Sequence, residues 1–359
     1  MNDVRSRRRQ SGRPTVSDVA RVAQCSPMTV SRVVNGGGGV REETRIAVEA
    51  AIRQLNYAPN RAARSLAGAS QLRIALLYSN PSAAYLSELL IGCMDAATRL
   101  DAHLMVERFD PEQDQAKAIA KLTESAIDGF LLPPPLCDDT ALLARLRRAG
   151  AHAVLIGPGQ AEAHHGVVMI DDYQAAYDMT RHILALGHCR IGFIIGNPQQ
   201  SASALRLAGY RDAMAEAGAQ VDEALVRQGQ FTYRSGLDAA MDMLALANRP
   251  TAIFASNDDM AAGCIAAAHR NDLEVPRDLT VCGFDDTALA STIWPELTTI
   301  RQPIRKMAET GLEVLVQEIR DERADANGRP RLTTLEYELV RRESDAGPPA
   351  AKADRTPKA

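Results

Sequence analysis

Residues 15–35 read TVSDVARVAQCSPMTVSRVVN, and this stretch decides the fold of the amino-terminal part of the chain. Apolar residues recur at helical spacing in its first half, and Thr15 or Ser17 can cap the helix that they predict. Ser26 followed by Pro27 is a strong start for a second helix, because serine satisfies exposed amide groups and proline suits the first turn. The sequence therefore predicts two short helices separated by a turn of about three residues.

Two helices joined in this way form a helix-turn-helix, whose second helix enters the major groove of DNA and presents its first turn to the bases. On this prediction Pro27, Met28, Thr29 and Arg32 face DNA.

A third helix is predicted after the glycine run at 36–39. Val48, Ile52 and Leu55 are spaced as its inner stripe, which would complete a three-helix core. The glycine run is not followed by the G-K-[ST] of a phosphate-binding loop, so we interpret it as a flexible loop between helices.

The charge distribution is uneven. Residues 1–68 contain twelve arginines, no lysine and five acidic residues, a net charge of +7, whereas the whole chain carries −4 and the remainder is therefore −11. A small basic module attached to a larger acidic one is expected when only the first meets a polyanion. Residues 1–14 are predicted to be a basic, disordered arm.

Four motifs in the basic part, TVSDVARVA, SPMTVSRVVN, ETR and LNYAPNRAARSLAG, together resemble the amino-terminal module of the lactose-repressor (LacI/GalR) family. The resemblance implies that residues 60–67 form a hinge helix that orders on operator DNA and pairs with its dimer mate in the minor groove. Leu66 would then be the wedge that kinks the duplex. The predicted DNA-contacting residues are Ser17, Ser26, Pro27, Met28, Thr29, Ser31, Arg32, Asn35, Asn60, Arg61, Ala63, Arg64 and Leu66.

The family pattern is broken at Gln24 and at the pair Pro27 and Met28. Gln24 stands in the turn where the family usually has glycine, so a left-handed backbone there would cost roughly 1 kcal/mol unless the turn is altered. Pro27 and Met28 replace a more polar pair that some family members have, so base recognition there is predicted to use apolar contact with thymine methyl groups.

The larger part of the chain alternates short apolar runs with helical stretches. The runs are RIALLYS, HLMVERF, DGFLLPPP, AHAVLIG, VVMID, RIGFIIG, TAIFASN and LTVCGFDD. This βαβ rhythm predicts parallel sheets with helices on both faces and a ligand at the carboxyl ends of the strands. RIALLYS and RIGFIIG each begin a similar half, so two Rossmann-like lobes are expected.

This part resembles the type I periplasmic-binding-protein fold, which serves as the sensor domain of the same repressor family. The resemblance implies ligand contacts from the motifs LRLAGY, SND, GFDD, GQFTYRSG and LTTIRQ, with weaker candidates after the opening strand. The effector-binding residues predicted in this way are Ser79, Asn80, Tyr85, Arg206, Phe231, Asn257, Asp285 and Gln302. Planar hydrogen-bonding groups around one aromatic face are typical of carbohydrate binding.

An enzyme is disfavoured by the motifs. No G-x-S-x-G or P-loop occurs, the seven histidines form no catalytic constellation, and the six cysteines are scattered singly without zinc-ligand spacing. We therefore expect no metal and no cofactor. The sequence contains no apolar run of membrane-spanning length and no signal peptide, which predicts a cytoplasmic protein without a membrane partner.

The predicted organisation is an arm at 1–14, a helix-turn-helix domain at 15–58, a hinge helix and linker at 59–71, a two-lobed ligand-binding and dimerisation domain at 72–343, and a disordered tail at 344–359. The tail lacks an apolar heptad, so a homodimer is favoured over a tetramer. Twofold symmetry then predicts a pseudo-palindromic operator in double-stranded DNA.

Together these features predict a sequence-specific repressor whose operator binding is controlled by a saccharide or a sugar derivative. A nucleobase or another polar metabolite remains an alternative effector. The sequence does not give the sign of the effect, so corepression stays open beside induction.

Overall fold

The computed structural model describes residues 15–34, 40–55, 71–109, 127–160, 164–323 and 331–349. The chain divides into two compact units, Met1–Gln71 and Leu72–Ala359. Among the described helices, none combines the length and apolarity needed to cross a membrane.

The described part of the first unit contains three short helices: α1 (Val16–Val22), α2 (Pro27–Val34) and α3 (Glu42–Gln54). Their shared core consists of Val19, Ala20, Val30, Val48 and Ala51, which are buried. This arrangement confirms the predicted helix-turn-helix with a third supporting helix.

The helix starts follow local hydrogen bonding. Thr15 caps α1 and forms a reciprocal capping box with Asp18. Ser26 caps α2, because its Oγ accepts the Thr29 amide hydrogen bond at 3.1 Å. The turn between α1 and α2 keeps a left-handed residue even without glycine, since Gln24 has φ of +51°.

The second unit contains two six-stranded sheets flanked by helices. The eight apolar runs predicted as strands all form strands, which are β1 (Arg73–Tyr78), β2 (His103–Arg108), β3 (Gly129–Leu132), β4 (His152–Ile156), β5 (Gly166–Met169), β6 (Ile191–Ile195), β8 (Ala252–Ala255) and β9 (Thr280–Asp285). Four short strands complete the sheets: β7 (Val226–Gln228), β10 (Thr298–Arg301), β11 (Leu332–Thr334) and β12 (Glu338–Val340).

The two sheets repeat one strand order, which confirms the two Rossmann-like lobes. The first lobe has the order β11-β5-β4-β3-β1-β2, and the second has β12-β10-β9-β8-β6-β7. Pairing within β1–β5 and within β6–β10 is parallel throughout. The last strand differs between the lobes, because β11 runs parallel to β5 and β12 runs antiparallel to β10.

The described helices of this unit are α4 (Ala83–Leu100), α5 (Thr140–Arg148), α6 (Asp172–Ala185), α7 (Ser201–Glu216), α8 (Tyr233–Leu244), α9 (Asp258–Arg270) and α10 (Ile304–Arg323). Helices α4 and α10 pack together on the first sheet, whereas α6 packs with α7 and α8 with α9 in the second lobe. The chain passes between the lobes three times, after β5, after β10 and between β11 and β12.

The predicted disordered tail from residue 344 is wrong at its start. Ser344 is fully buried, and its Oγ donates to the Val281 carbonyl and accepts from the Thr298 amide. Asp345 is also buried and accepts hydrogen bonds from Thr298 and His182. The sequence has no apolar pattern at Ser344 and Asp345, but their side chains form hydrogen bonds with the second lobe. These tertiary contacts hold the start of the tail in place. Residues 350–359 lie outside the described part of the chain.

Candidate ligand cleft and DNA interface

The first turn of α2 presents the side chains predicted to meet DNA. Ser26 and Pro27 are exposed, and Met28 is 68% exposed. Thr29 is half-buried, and its Oγ1 lies 2.8 Å from Ser26 Oγ. An exposed thioether at the start of a recognition helix can reach a thymine methyl group in the major groove.

Arg32 lies one turn further along α2 and is exposed. Within the described part of the first unit it has no ion-pair partner, whereas Arg21 pairs with Asp18 and Arg45 with Glu42. Its charge is therefore available to a phosphate or a guanine edge.

The other predicted DNA contacts are less well placed by the structure. Ser17 is exposed on α1. Ser31 lies within α2, but its side chain is not described. Asn35 and the hinge residues Asn60, Arg61, Ala63, Arg64 and Leu66 lie outside the described residues.

A cleft of about 420 Å³, including its opening to solvent, lies between the two lobes of the second unit. The first lobe contributes residues that follow β1, β3 and β4, and the second contributes residues that follow β5, β6, β7, β8 and β10, together with the last residue of β9. Seven of the eight predicted effector-binding residues line it: Asn80, Tyr85, Arg206, Phe231, Asn257, Asp285 and Gln302. Ser79 is half-buried and does not line the cleft.

Asp285 ends β9 and directs a carboxylate into the cleft. Gln302 Nε2 donates to its Oδ1 at 2.5 Å. No other described residue donates a hydrogen bond to this carboxylate, so Oδ2 can accept one from a ligand. Burial raises the pKa of Asp285 to about 7, against the lowering effects of Arg206 and Gln302.

The backbone that carries Asp285 is strained. Asp285 has φ of +114° and Asp286 has φ of +55°, a conformation that side chains disfavour. Buried Asp258, at the start of α9, holds this segment by accepting from the amide of Thr287 at 2.8 Å and the hydroxyl of Thr299 at 2.7 Å. The strained strand end is therefore fixed by a buried carboxylate that itself does not line the cleft.

Arg206 projects from α7 and is buried. Its Nε and Nη2 each lie 2.8 Å from Asp172 Oδ1, and Nη1 donates to the Ser256 carbonyl at 2.5 Å. The guanidinium carbon lies 3.6 Å from the centre of the Phe284 ring. Arginine has five N–H donors, so these contacts fix the side chain and still leave donors for ligand hydroxyls.

Phe231 belongs to the core of the second lobe and also lines the cleft. It has φ of +57°, and the Asn257 amide donates to its carbonyl at 3.2 Å. Its ring lies so close to Gly196 that a Cβ added there would be 1.9 Å from the ring. Glycine at 196 therefore leaves the space that the ring occupies.

Asn257 has a structural role in this arrangement. Its Oδ1 caps α9 through the Met260 amide at 3.0 Å, and its Nδ2 bonds Phe231 and Asp259. Both the Oδ1 and the Nδ2 of Asn257 thus have partners within the protein. The main role of this side chain is therefore to hold Phe231 and the start of α9 in position, and not to bind a ligand directly.

The first lobe contributes Tyr85, which is buried on α4, and Asn80, which follows β1. Asn80 Oδ1 accepts from the Ser82 amide at 2.8 Å, leaving its NH₂ group for the cleft. Ser82 caps α4, and its hydroxyl donates to Asp259 of the second lobe at 2.5 Å. The lobes are thus joined by a hydrogen bond at the edge of the cleft.

The sequence interpretation missed Asp172 and Gln200, which also line the cleft. Gln200 is 5% exposed, and its buried Nε2 has no hydrogen-bond partner among the described residues. Asp172 follows the VVMID strand, and a carboxylate just past a strand end was the signal that could have found it. Gln200 precedes the LRLAGY motif without a local pattern of its own.

Comparisons with known proteins match both units. Residues 15–60 match the family described as bacterial regulatory proteins, lacI family, and residues 180–344 match a periplasmic binding protein-like domain. The HTH-type transcriptional regulator DegA of Bacillus subtilis (strain 168) is 34% identical over 297 residues, which cover 82% of this chain and 88% of DegA.

Two solved structures are similar along nearly the whole chain. The complex of the transcriptional regulator CelR with cellobiose has a TM-score of 0.71 and 31% identity, covering 92% of this chain and 100% of that one. The lac repressor dimer bound to operator and the anti-inducer ONPF has a TM-score of 0.70 and 29% identity, covering 93% of this chain and 99% of that one.

Proposed function

The chain belongs to the lacI family of bacterial regulatory proteins, and we propose that this member is a repressor whose affinity for its operator is changed by a saccharide bound between the two lobes. The family consists of ligand-responsive transcriptional regulators and not of enzymes.

The cleft chemistry carries the saccharide assignment. An aromatic ring, Phe231, stands beside the buried guanidinium of Arg206, whose carbon lies 5.8 Å from the ring centre. The Asp285 carboxylate has an oxygen available to accept from hydroxyls, and the buried amide of Gln200 has an unpartnered donor. A sugar satisfies both kinds of group and covers the ring with its apolar face. The cellobiose complex of CelR supports the same class of ligand.

The DNA-binding part acts through the first turn of α2. Exposed Met28 and unpaired Arg32 would read base edges, and the predicted hinge helix would insert Leu66 in the minor groove. A homodimer would place two such units on a pseudo-palindromic operator, as in the operator complex of the lac repressor dimer.

The coupling would follow from lobe movement. A ligand that binds one relative position of the lobes more tightly shifts the population toward it, and the lobe position would set the spacing of the two hinge helices. Only one spacing permits paired insertion in the minor groove. A coupling free energy of about 1 to 3 kcal/mol is typical of such systems.

The test begins with operator selection from a random DNA library by the full-length chain. The selected operator is then titrated by fluorescence anisotropy with and without cellobiose, lactose, ribose and adenosine. We expect one saccharide to change operator affinity, and the change to be lost in Asp285→Ala. Asp242→Ala removes an exposed carboxylate on α8 and serves as the matched control. Coincident curves for every saccharide would remove the saccharide assignment, and a response to adenosine alone would replace it.

A further inference from the structure

The described lining of the cleft offers a ligand no positive charge that is not already paired. Among the described residues that line it, Arg206 is the only cation, whereas Asp172 and Asp285 are both acidic. Two further carboxylates, Asp258 and Asp259, lie just behind the wall at the start of α9. Acidic groups therefore outnumber the single guanidinium in and around the site.

The charge of Arg206 is already neutralised within the protein. Its side chain is 6% exposed and that of Asp172 is 3% exposed, and two guanidinium nitrogens lie 2.8 Å from one carboxylate oxygen. A buried pair at this distance interacts strongly, since little water screens it. Phe284 covers one face of the guanidinium at 3.6 Å. The remaining N–H groups can donate to a neutral oxygen, but the net charge of the pair is zero.

The carboxylates in and behind the wall of the cleft are buried, which disfavours their charged forms. Burial raises the pKa values of Asp172, Asp258 and Asp259, and the charge of Asp285 raises that of Asp258 further. Even with Asp285 protonated, the lining has no net positive charge. An anionic group placed here would be removed from water without a counter-charge, and it would be repelled by Asp285 whenever that carboxyl is ionised.

The other polar groups of the lining are neutral. Asn80 offers an amide NH₂, Tyr85 a hydroxyl, and Gln200 a buried amide Nε2 that no described residue accepts from. These groups match hydroxyl, carbonyl and ring-nitrogen atoms of an uncharged ligand. None of them supplies the positive charge that phosphate and carboxylate recognition uses.

Building on the proposal that this cleft is the effector site, we infer that it selects uncharged ring ligands and rejects their phosphorylated or carboxylated forms. The pairing of Arg206 with Asp172 determines this selectivity. It leaves guanidinium N–H groups that can donate to a ligand, but it cancels the positive charge that would attract an anion. We expect a neutral ligand to bind at least about a hundredfold more tightly than its monophosphate, because the phosphate would be buried without a counter-charge.

The first experiment is isothermal titration calorimetry of the full-length chain with matched pairs: glucose and glucose 6-phosphate, fructose and fructose 6-phosphate, cellobiose and its 6-phosphate, and adenosine and AMP. Binding confined to neutral members supports the inference. Binding of a phosphorylated member as tight as that of its neutral partner overturns it while leaving a sugar-responsive regulator intact.

The second experiment does not depend on knowing the effector, so it decides the charge assignment even if no sugar binds. Asp172→Asn removes the counter-charge, and we expect 10 mM inorganic phosphate to raise the melting temperature of this variant but not that of the wild type. Asp171→Asn makes the same change one residue earlier, at an exposed helix cap that does not contact Arg206. A folded Asp172→Asn variant that responds to phosphate no more than Asp171→Asn would overturn the inference.

Discussion

The Asp138 carboxylate in the first lobe accepts two hydrogen bonds from Ser201 in the second lobe, one from the hydroxyl at 2.5 Å and one from the amide at 3.1 Å. Ser201 begins α7, the helix that carries Arg206, and the N-cap residue Gln200 makes no capping bond with its own side chain. Ser201 Oγ also accepts from the Gly159 amide of the first lobe at 2.6 Å. A carboxylate of one lobe thus caps a helix of the other beside the ligand cleft.

We predict that Asp138→Ala lowers the free energy of unfolding by about 1 to 2 kcal/mol, the usual contribution of a helix cap. Because the lost bonds join the lobes, the variant should also change the ratio of operator affinities with and without effector. Urea unfolding measures the first effect, and operator titration measures the second.

Asp139→Ala is the matched control for this prediction. Asp139 caps α5 through the Leu142 amide at 2.9 Å, but this helix and its cap both belong to the first lobe. It should cost similar stability and leave the coupling unchanged. Equal effects of both variants on the coupling would show that the bond between the lobes has no special role in it.

The turn of the helix-turn-helix gives a stability prediction. Gln24 adopts φ of +51°, and the amide of Cys25 bonds the Ala20 carbonyl at 3.0 Å, so α1 ends in a glycine-type cap without glycine. Gln24→Gly should therefore stabilise the first unit by about 1 kcal/mol. Thermal unfolding would measure this. Gln54→Gly, the same replacement at the end of helix α3, should not stabilise it.

The sequence predicted the strands that have a strong apolar pattern. It did not predict the elements whose structure depends on tertiary contacts. All eight apolar runs form strands, but β7 was missed because its residues, VRQ, lie at a sheet edge and are half-buried or exposed. The segment 332–344 forms β11 in one sheet and β12 in the other. No local pattern marks the crossing between them.

The candidate site was likewise predicted only in part from the sequence. Five of the predicted residues that line the cleft come from the family motifs, and Asn80 and Tyr85 come from their position after the opening strand, because these positions lie at strand ends or on helices that begin there. The motifs did not indicate which residue forms an ion pair with Arg206. Its pairing with Asp172, which changes the charge available to a ligand, joins residues 34 positions apart and emerges only from the packing of α6 against α7.

Met28 gives a prediction about base recognition. Its side chain is 68% exposed at the start of α2, where the apolar end can contact a thymine methyl group. Met28→Ala should relax the base preference at one position of each half-site in operator selection. Ile46→Ala removes another exposed apolar side chain, on α3, and should leave the preference as it is. Identical selected operators for wild type and Met28→Ala would exclude this contact.

Asp285 should make stability depend on pH in a direction opposite to that of a salt-bridged carboxylate. Its pKa is raised to about 7 in the folded protein, mainly by burial, whereas an aspartate in an unfolded chain titrates near 3.9. Between these values the folded state binds more protons than the unfolded state, so the free energy of unfolding falls as pH rises and levels off above about 7.

Asp285→Asn should remove this part of the dependence of the free energy of unfolding on pH. Urea unfolding at pH 5 and pH 7.5 measures it, and taking the difference between variant and wild type cancels groups that titrate alike in both, such as His188, whose pKa is lowered by burial. Asp242→Asn, at an exposed site, should keep the wild-type slope. If Asp285→Asn and wild type lose the same stability between the two pH values, Asp285 is ionised in the folded protein throughout, and its carboxylate accepts ligand hydrogen bonds at every pH tested.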